Sequence, residues 1–296
     1  MPYLGEISAL ITAFFWSGTS MAFTEASIRI GSIQLNVSRM FLASFLLFLT
    51  VLIAQINYEL SFFQIQFLVY SGIAGLVLGD TFLFKAFQLI GARLGMLMMA
   101  LVPAISTILA FFFLDEFITA LGILGMAVTI SGIALVILER KNDTGSKMSI
   151  SKIGIFYGFL GALGQASGLI LAKFAFDEGH INGFLAAFIR LSSAVLILGT
   201  LAVLSGRFKN PVGVYRKDKK ALISTVIGTL LGPYFGITFS LIAIANTKVG
   251  IASTLMALVP VIMLPLVRFY YKEKLSWRAI GGAFFAVIGV AILFLR

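Results

Sequence analysis

The sequence predicts an all-α integral membrane protein, with ten transmembrane helices arranged as two inverted five-helix repeats around a central cavity. Three observations predict it. The chain of 296 residues is 60% hydrophobic and 11% charged, with a mean hydropathy of +1.06. It therefore lacks the polar residues that a soluble exterior of this size requires. Ten apolar runs follow one another, near 4–24, 33–54, 64–88, 92–114, 118–138, 153–174, 181–204, 220–244, 249–271 and 275–295, and a bilayer-spanning helix needs about 20 such residues. Finally, the pentapeptide MALVP occurs at Met99–Pro103 and again at Met256–Pro260, 157 residues later.

The repeated pentapeptide sits in a longer register. Gly75 and Gly79 precede the first copy as Gly232 and Gly236 precede the second, and Glu116, Thr119, Gly125 and Gly132 follow it as Glu273, Ser276, Gly282 and Gly289 do. An offset held this long is an internal duplication. It places repeat 1 at residues 1–140, a linker at 141–152 and repeat 2 at 153–296. The runs are continuous rather than alternating, which favours helices over a barrel in a medium where backbone groups must be satisfied internally. Five spans per repeat is an odd number, so a tandem duplication turns the second half upside down.

The net charge of +10 does not point to nucleic acid. The charges lie between apolar runs, and no aromatic-basic RNA motif is present. Loops after runs 1, 3, 5, 7 and 9, with adjoining helix ends, hold 18 of the 22 Lys and Arg; the other side holds Lys173, Arg190, Lys248 and Arg296. The positive-inside rule then puts both termini outside the cytoplasm. There is no cysteine, hence no disulfide or thiolate metal site. His180 is the only histidine and forms no metal-ligand cluster, so neither metal nor cofactor is expected. No secretory leader is expected.

Taken in order, the first run carries Trp16, Ser17, Thr19 and Ser20, and its counterpart at an offset of 149 carries Gln165 and Ser167. Polar groups at mid-membrane should face a bundle interior or a wet cavity, although a hydroxyl can also bond its own helix carbonyls. The second run opens with Arg39, matched by Arg190. Snorkelling to the headgroups is the expected role at such near-end positions, and holding an anionic substrate is the alternative.

Asp80 is the one carboxylate well inside a span, and the second half has Ile237 at the equivalent place. A buried carboxylate needs a cation, water or a proton. Proton coupling is one reading; a fixed ion pair with Lys85 or Arg93 is the other. Ser71, Gly75 and Gly79 match Gly228, Gly232 and Gly236 at four-residue spacing, a pattern of close helix packing to which no chemistry is assigned. Tyr234 has no counterpart in the first half and is a plausible ligand contact. Pro103 and Pro260 fall mid-run, where they should kink and gate their helices. Two such kinks at matching places point to a midplane site between halves, with Met98, Met99 and Met256 as adaptable surface.

These features jointly resemble the drug/metabolite transporter superfamily. The carriers of the resemblance are FFWSGTS in the first run, SRMFLAS and IRLSS in the second of each half, and the repeated MALVP followed by LDEFIT and YKEKLS. The last pair is similar to the EamA-type family in particular. The resemblance spans nearly the whole chain. It implies a central cavity lined by helices 1, 3, 4, 6, 8 and 9, and export of amino acids or other small metabolites. Relatives elsewhere in the superfamily carry nucleotide sugars or sugar phosphates, so transport of these by exchange is an alternative expectation for this chain. It also implies cytoplasmic termini, against the charge count, which we follow. No ATP-binding, GxSxG, HExxH or phosphate-loop motif is present, so the expectation is a secondary transporter in the cytoplasmic membrane rather than an enzyme. Its partners are a small-molecule substrate, the lipid bilayer and protons as a candidate coupling ion. A scramblase or channel is the other alternative, and the sequence does not set the oligomeric state. The expected substrate-binding residues are Trp16, Ser20, Asp80, Met99, Gln165, Tyr234 and Met256.

Overall fold

The computed structural model describes residues 3–139, 151–259, 261–262, 265 and 277–294. All regular structure among these residues is helical. In the first half α1 spans Leu4–Ile30 and α2 Ser32–Ile53. Helix α3, Phe62–Gly72, passes through a π turn at Ile73–Gly79 into α4, Asp80–Met99. Helices α5, Val102–Phe113, and α6, Ala120–Glu139, follow. In the second half α7 spans Lys152–Glu178, α8 Gly183–Leu204 and the short α9 Pro211–Lys217. Helix α10, Lys219–Thr229, passes through a second π turn at Leu230–Gly236 into α11, Ile237–Asn246. Helices α12, Val249–Met256, and α13, Trp277–Phe294, complete the described chain.

Among the described residues, six stretches are long and apolar enough to cross a membrane: Leu4–Ile30, Ile33–Ile53, Phe62–Ala86, Lys152–Glu178, Gly183–Leu204 and Lys219–Asn246. Three shorter apolar helices lie at Val102–Phe113, Ala120–Leu135 and Ile280–Ile292. The expected gap between the third and fourth runs is not where the helix ends, since α4 continues to Met99. A methyl built on Gly158 would lie 2.6 Å from Met98 Cγ and 3.7 Å from Ala86 Cβ. Twelve residues of straight helix would separate those two by about 18 Å, so the chain folds back on itself within α4.

Each half packs mainly on the other. α1 lies against α10, the second π turn, α11 and α12, while α7 lies against α3, the first π turn, α4 and α5. α2 pairs with α8, and α6 with α13. The pairs run antiparallel. Along α1, Gly5 meets Thr247, Thr12 Oγ1 donates to Gly236 O (3.4 Å), and Arg29 pairs with Asp218 (3.2 Å). Along α7, Gly154 meets Ile90, Gly161 meets Leu83 and Gly168 meets Gly75. Ser44 and Ser192 share a 2.7 Å hydrogen bond between α2 and α8, and the Phe48 and Phe188 rings sit 5.9 Å apart.

Glycine sets the closeness of these crossings. A methyl on Gly132 would come 2.6 Å from Gly282 O, and one on Gly289 would come 2.7 Å from Gly125 O. These four glycines hold the duplication register, and they meet as two reciprocal pairs across α6 and α13. Without a hydrophobic drive between helices in lipid, such backbone approach is a main source of association. The opposite faces carry exposed apolar rings, as at Phe41, Phe45 and Phe48 on α2, which suit contact with acyl chains.

The two MALVP segments are breaks rather than kinks. α4 ends at Met99 and α12 at Met256, and turns at Ala100–Leu101 and Ala257–Leu258 follow. Leu101 N donates to Met98 O (3.0 Å) as Leu258 N donates to Leu255 O (3.2 Å). Pro103 therefore lies in the first turn of α5 instead of mid-helix. Its missing N–H is one of those a new helix leaves unpaired, so proline starts α5 without breaking it. Pro260 lies outside the described residues. At the other ends of α5 and α12, Glu116 accepts from Val249 N, the first amide of α12 (2.8 Å). Burial pushes the Glu116 carboxyl up, opposed by that amide bond.

Gly132→Leu should destabilise the fold by about 1–3 kcal/mol or more through overpacking against the α13 backbone. Thermal unfolding in detergent measures it; an unchanged midpoint would show that α6 and α13 are not held this closely.

Candidate functional site

Four polar residues inside the spans, Arg39, Asp80, Gln165 and Arg190, meet at the first π turn. A π turn inserts a residue into the helical ladder. Gly75 O accepts the Asp80 amide in this turn, and Gln165 Nε2 also donates to it (3.1 Å) from α7. The same Nε2 donates to Asp80 Oδ1 (2.7 Å). Asp80 Oδ2 accepts from Arg39 Nη2 on α2 (2.6 Å). Arg39 is held in turn by Asn36 Oδ1, which accepts from its Nε (2.8 Å). The Phe23 and Phe84 rings lie 5.1 and 5.3 Å from the guanidinium carbon, within the range of cation–π attraction. On the far side of Gly75 stands Arg190 from α8, which is 3% exposed. A methyl on Gly75 would come 3.2 Å from Arg190 Nη2 and 3.8 Å from Gln165 Oε1. A polar column thus runs from Arg190 past Gly75 and Gln165 to Asp80 and Arg39.

The two arginines depart from their expected role. Neither snorkels: Arg39 is tied to Asp80 and Arg190 is buried. A carboxylate and glycine-sized gaps inside the bundle offer each a better environment than its length of stem offers at the surface. Asp80 likewise does not pair with Lys85, whose Nζ sits 5.1 Å from the Tyr157 ring centroid. The Arg93 side chain lies outside the described residues. The small residues of α3 also do more than pack, because Gly75 supplies a carbonyl and Gly79 admits Gln165, whose Nε2 would be 3.2 Å from a methyl there.

The remaining expected residues are placed around this column. Trp16 occupies the position equivalent to Gln165 and meets the second π turn, with Nε1 2.5 Å from where a methyl on Gly236 would be. Ser20 Oγ donates to Ser17 O (2.8 Å) within α1, while Ser17 Oγ reaches Val259 O (3.2 Å) beside the second break. Tyr234 shares a hydrogen bond with Thr50 (2.6 Å) and packs its ring 5.9 Å from Phe184. Met99 and Met256 are the last residues of α4 and α12; Met99 is half-buried and Met256 is buried at 3% exposure. Ser106 and Ser253 join α5 to α12 by a 2.7 Å hydrogen bond. Of the expected set, Asp80 and Gln165 bond to each other. Arg39, Arg190, Asn36 and Thr50 were absent from it, although the repeated arginine was a visible signal.

The model of the EamA-like transporter family matches residues 3–138 and 152–295. The chain belongs to the EamA-like transporter family. It is therefore a membrane transporter of small molecules and not an enzyme. No curated protein matches the chain. A crystal structure described only as that of a protein superposes with a TM-score of 0.78 at 15% identity, covering 98% of this chain and 96% of that one. At that identity the likeness concerns the fold alone. In this EamA-like chain the Asp80–Arg39 pair links α4 to α2 and Gln165 links both to the other half.

Arg39→Gln should cost about 3–5 kcal/mol, because it leaves a buried carboxylate uncompensated. Adding Asp80→Asn should restore most of that loss. A double-mutant cycle of thermal unfolding checks it, and additive losses would mean that the two side chains are not coupled.

Proposed function

We propose that the chain is a ten-helix secondary transporter of the cytoplasmic membrane, built of two inverted repeats, that exports amino acids or similar small metabolites by alternating access. The observation that carries this reading is the matched pair of helix breaks at Met99 and Met256, each followed by the same Leu-to-carbonyl bond. Broken helices at corresponding places in two repeats are where transporters place mid-membrane sites. The antiparallel pairing of α2 with α8 and α6 with α13 supports the inversion, since these are corresponding helices of the two halves.

In this reading the halves rock about the polar column. The breaks after Met99 and Met256, with the Ser106–Ser253 contact between them, open and close one face. Trp16, Ser20, Tyr234 and the two methionines line the cavity, and Asp80 is the proton carrier. Protonating Asp80 would weaken its bonds to Arg39 and Gln165 and so loosen α4 from α2 and α7. Positive-inside charge puts Arg207, Lys209, Arg216 and Lys217 in the cytoplasm and both termini outside.

Uptake of labelled amino acids into proteoliposomes, with and without a pH gradient, tests the function. Gradient-driven, saturable accumulation is expected, and Asp80→Asn should abolish accumulation while sparing exchange. Non-saturable leak of every solute would instead mean a channel. For orientation, Arg207→Cys adds a single thiol to a chain that has none. A membrane-impermeant maleimide should label it in inside-out vesicles and not in intact cells; labelling of intact cells would reverse the topology.

A further inference from the structure

We propose that Arg190 is the receptor for a carboxylate on the transported solute. The inference rests on the transporter reading and names the chemical class that its site recognises.

The two arginines of the column occupy equivalent places in the two halves, but only one of them is matched. Arg39 has the Asp80 carboxylate at 2.6 Å and Asn36 on its Nε. The residue equivalent to Asp80 on the side of Arg190 is Ile237, itself 9% exposed, so the second half supplies no acid there. Arg190 is 3% exposed, and its Nε has no hydrogen-bond partner among the described residues. Asp80 acts on it electrostatically. Yet both carboxylate oxygens of Asp80 are already engaged, one by Arg39 and the other by Gln165. The column therefore carries two guanidinium groups and one carboxylate, with an excess of one positive charge deep in the bundle.

A buried guanidinium with an unpartnered Nε is a costly arrangement for a membrane protein to keep. A carboxylate removes that cost, because the planar guanidinium fork matches its two oxygens. Arg190 Nη2 and Gln165 Oε1 come together beside the backbone of Gly75. Gly75 carries no side chain, and Arg190 Nη2 and Gln165 Oε1 both face the place where its methyl would be, at 3.2 and 3.8 Å. Gln165 Oε1 is an acceptor, so an ammonium or hydroxyl beside the carboxylate would meet it. One excess positive charge suits a monoanionic carboxylate better than a dianionic phosphate, which would leave the column net negative.

The experiment is a thermal-shift titration of the purified full-length protein with matched pairs, each amino acid against its own carboxamide, together with sodium chloride alone. Wild type should be stabilised by the acids and not by the amides, with no shift from chloride. Arg190→Gln should lose the discrimination, and Arg190→Lys should keep it in weakened form. If Arg190→Gln does not fold, Gly75→Ala provides the second variant; the added methyl should crowd Nη2 and weaken the response to acids. Equal shifts from acid and amide in wild type would overturn the proposal. So would a folded Arg190→Gln protein, or a folded Gly75→Ala protein, that discriminates as wild type does. A shift produced by chloride alone would also overturn it, in favour of an inorganic anion. Retained acid-over-amide discrimination with no amino-acid uptake in proteoliposomes would leave Arg190 as the carboxylate receptor and remove the exporter reading.

Discussion

A carboxylate inside a lipid-spanning segment must find its counter-charge within the protein, and Asp80 finds it on α2. Arg39 and Asp80 meet at 2.6 Å, and Gln165 reaches the second carboxylate oxygen from α7. Three helices from two halves are joined through one side chain. The pair is only partly sealed from solvent, at 12% side-chain exposure for each partner, so it sits where water or solute can compete for it. Breaking such a pair leaves a charge without its partner, which makes the pair a tether between α2 and α4. Its asymmetry matters as much as its strength, because Ile237 gives Arg190 no equivalent acid.

Around this tether the packing is nearly symmetric. Trp16 meets the second π turn as Gln165 meets the first, and Gly132 meets Gly282 as Gly289 meets Gly125. Small residues allow backbones to touch, and backbone contact gives a stiff bundle without a hydrophobic drive. The breaks after Met99 and Met256 divide long apolar runs into shorter rigid pieces. A structure built of stiff pairs joined at matched breaks favours motion of bodies over continuous bending.

Much of this was legible in the sequence because bilayer constraints are severe. Apolar runs of about 20 residues announce spans, and the MALVP offset announced an internal duplication; the family model matches at 3–138 and 152–295. The same offset relates the two π turns, Ile73–Gly79 and Leu230–Gly236, although the glycine pattern had suggested packing alone. A π turn and a tight α turn use the same small residues, so spacing does not distinguish them. Pro103 was misplaced for a similar reason: proline looks the same inside a helix and in its first turn, and the preceding break at Ala100–Leu101 decides which it is.

By itself the sequence determined the class, the duplication, the apolar runs and the lone mid-span carboxylate, since composition and spacing are local properties that lipid reads directly. Only the tertiary structure decided that Asp80 bonds Arg39 rather than Lys85, that Gln165 bridges Gly75 and Asp80, and that Arg190 is buried without a matching acid. Those outcomes depend on which helices cross and how closely. That is set by glycine contacts between residues some ninety to over two hundred positions apart, as at Gly168 with Gly75 and Gly5 with Thr247. A side chain's charge is written in the sequence; the dielectric and the partner it meets arise only when the two halves close on each other.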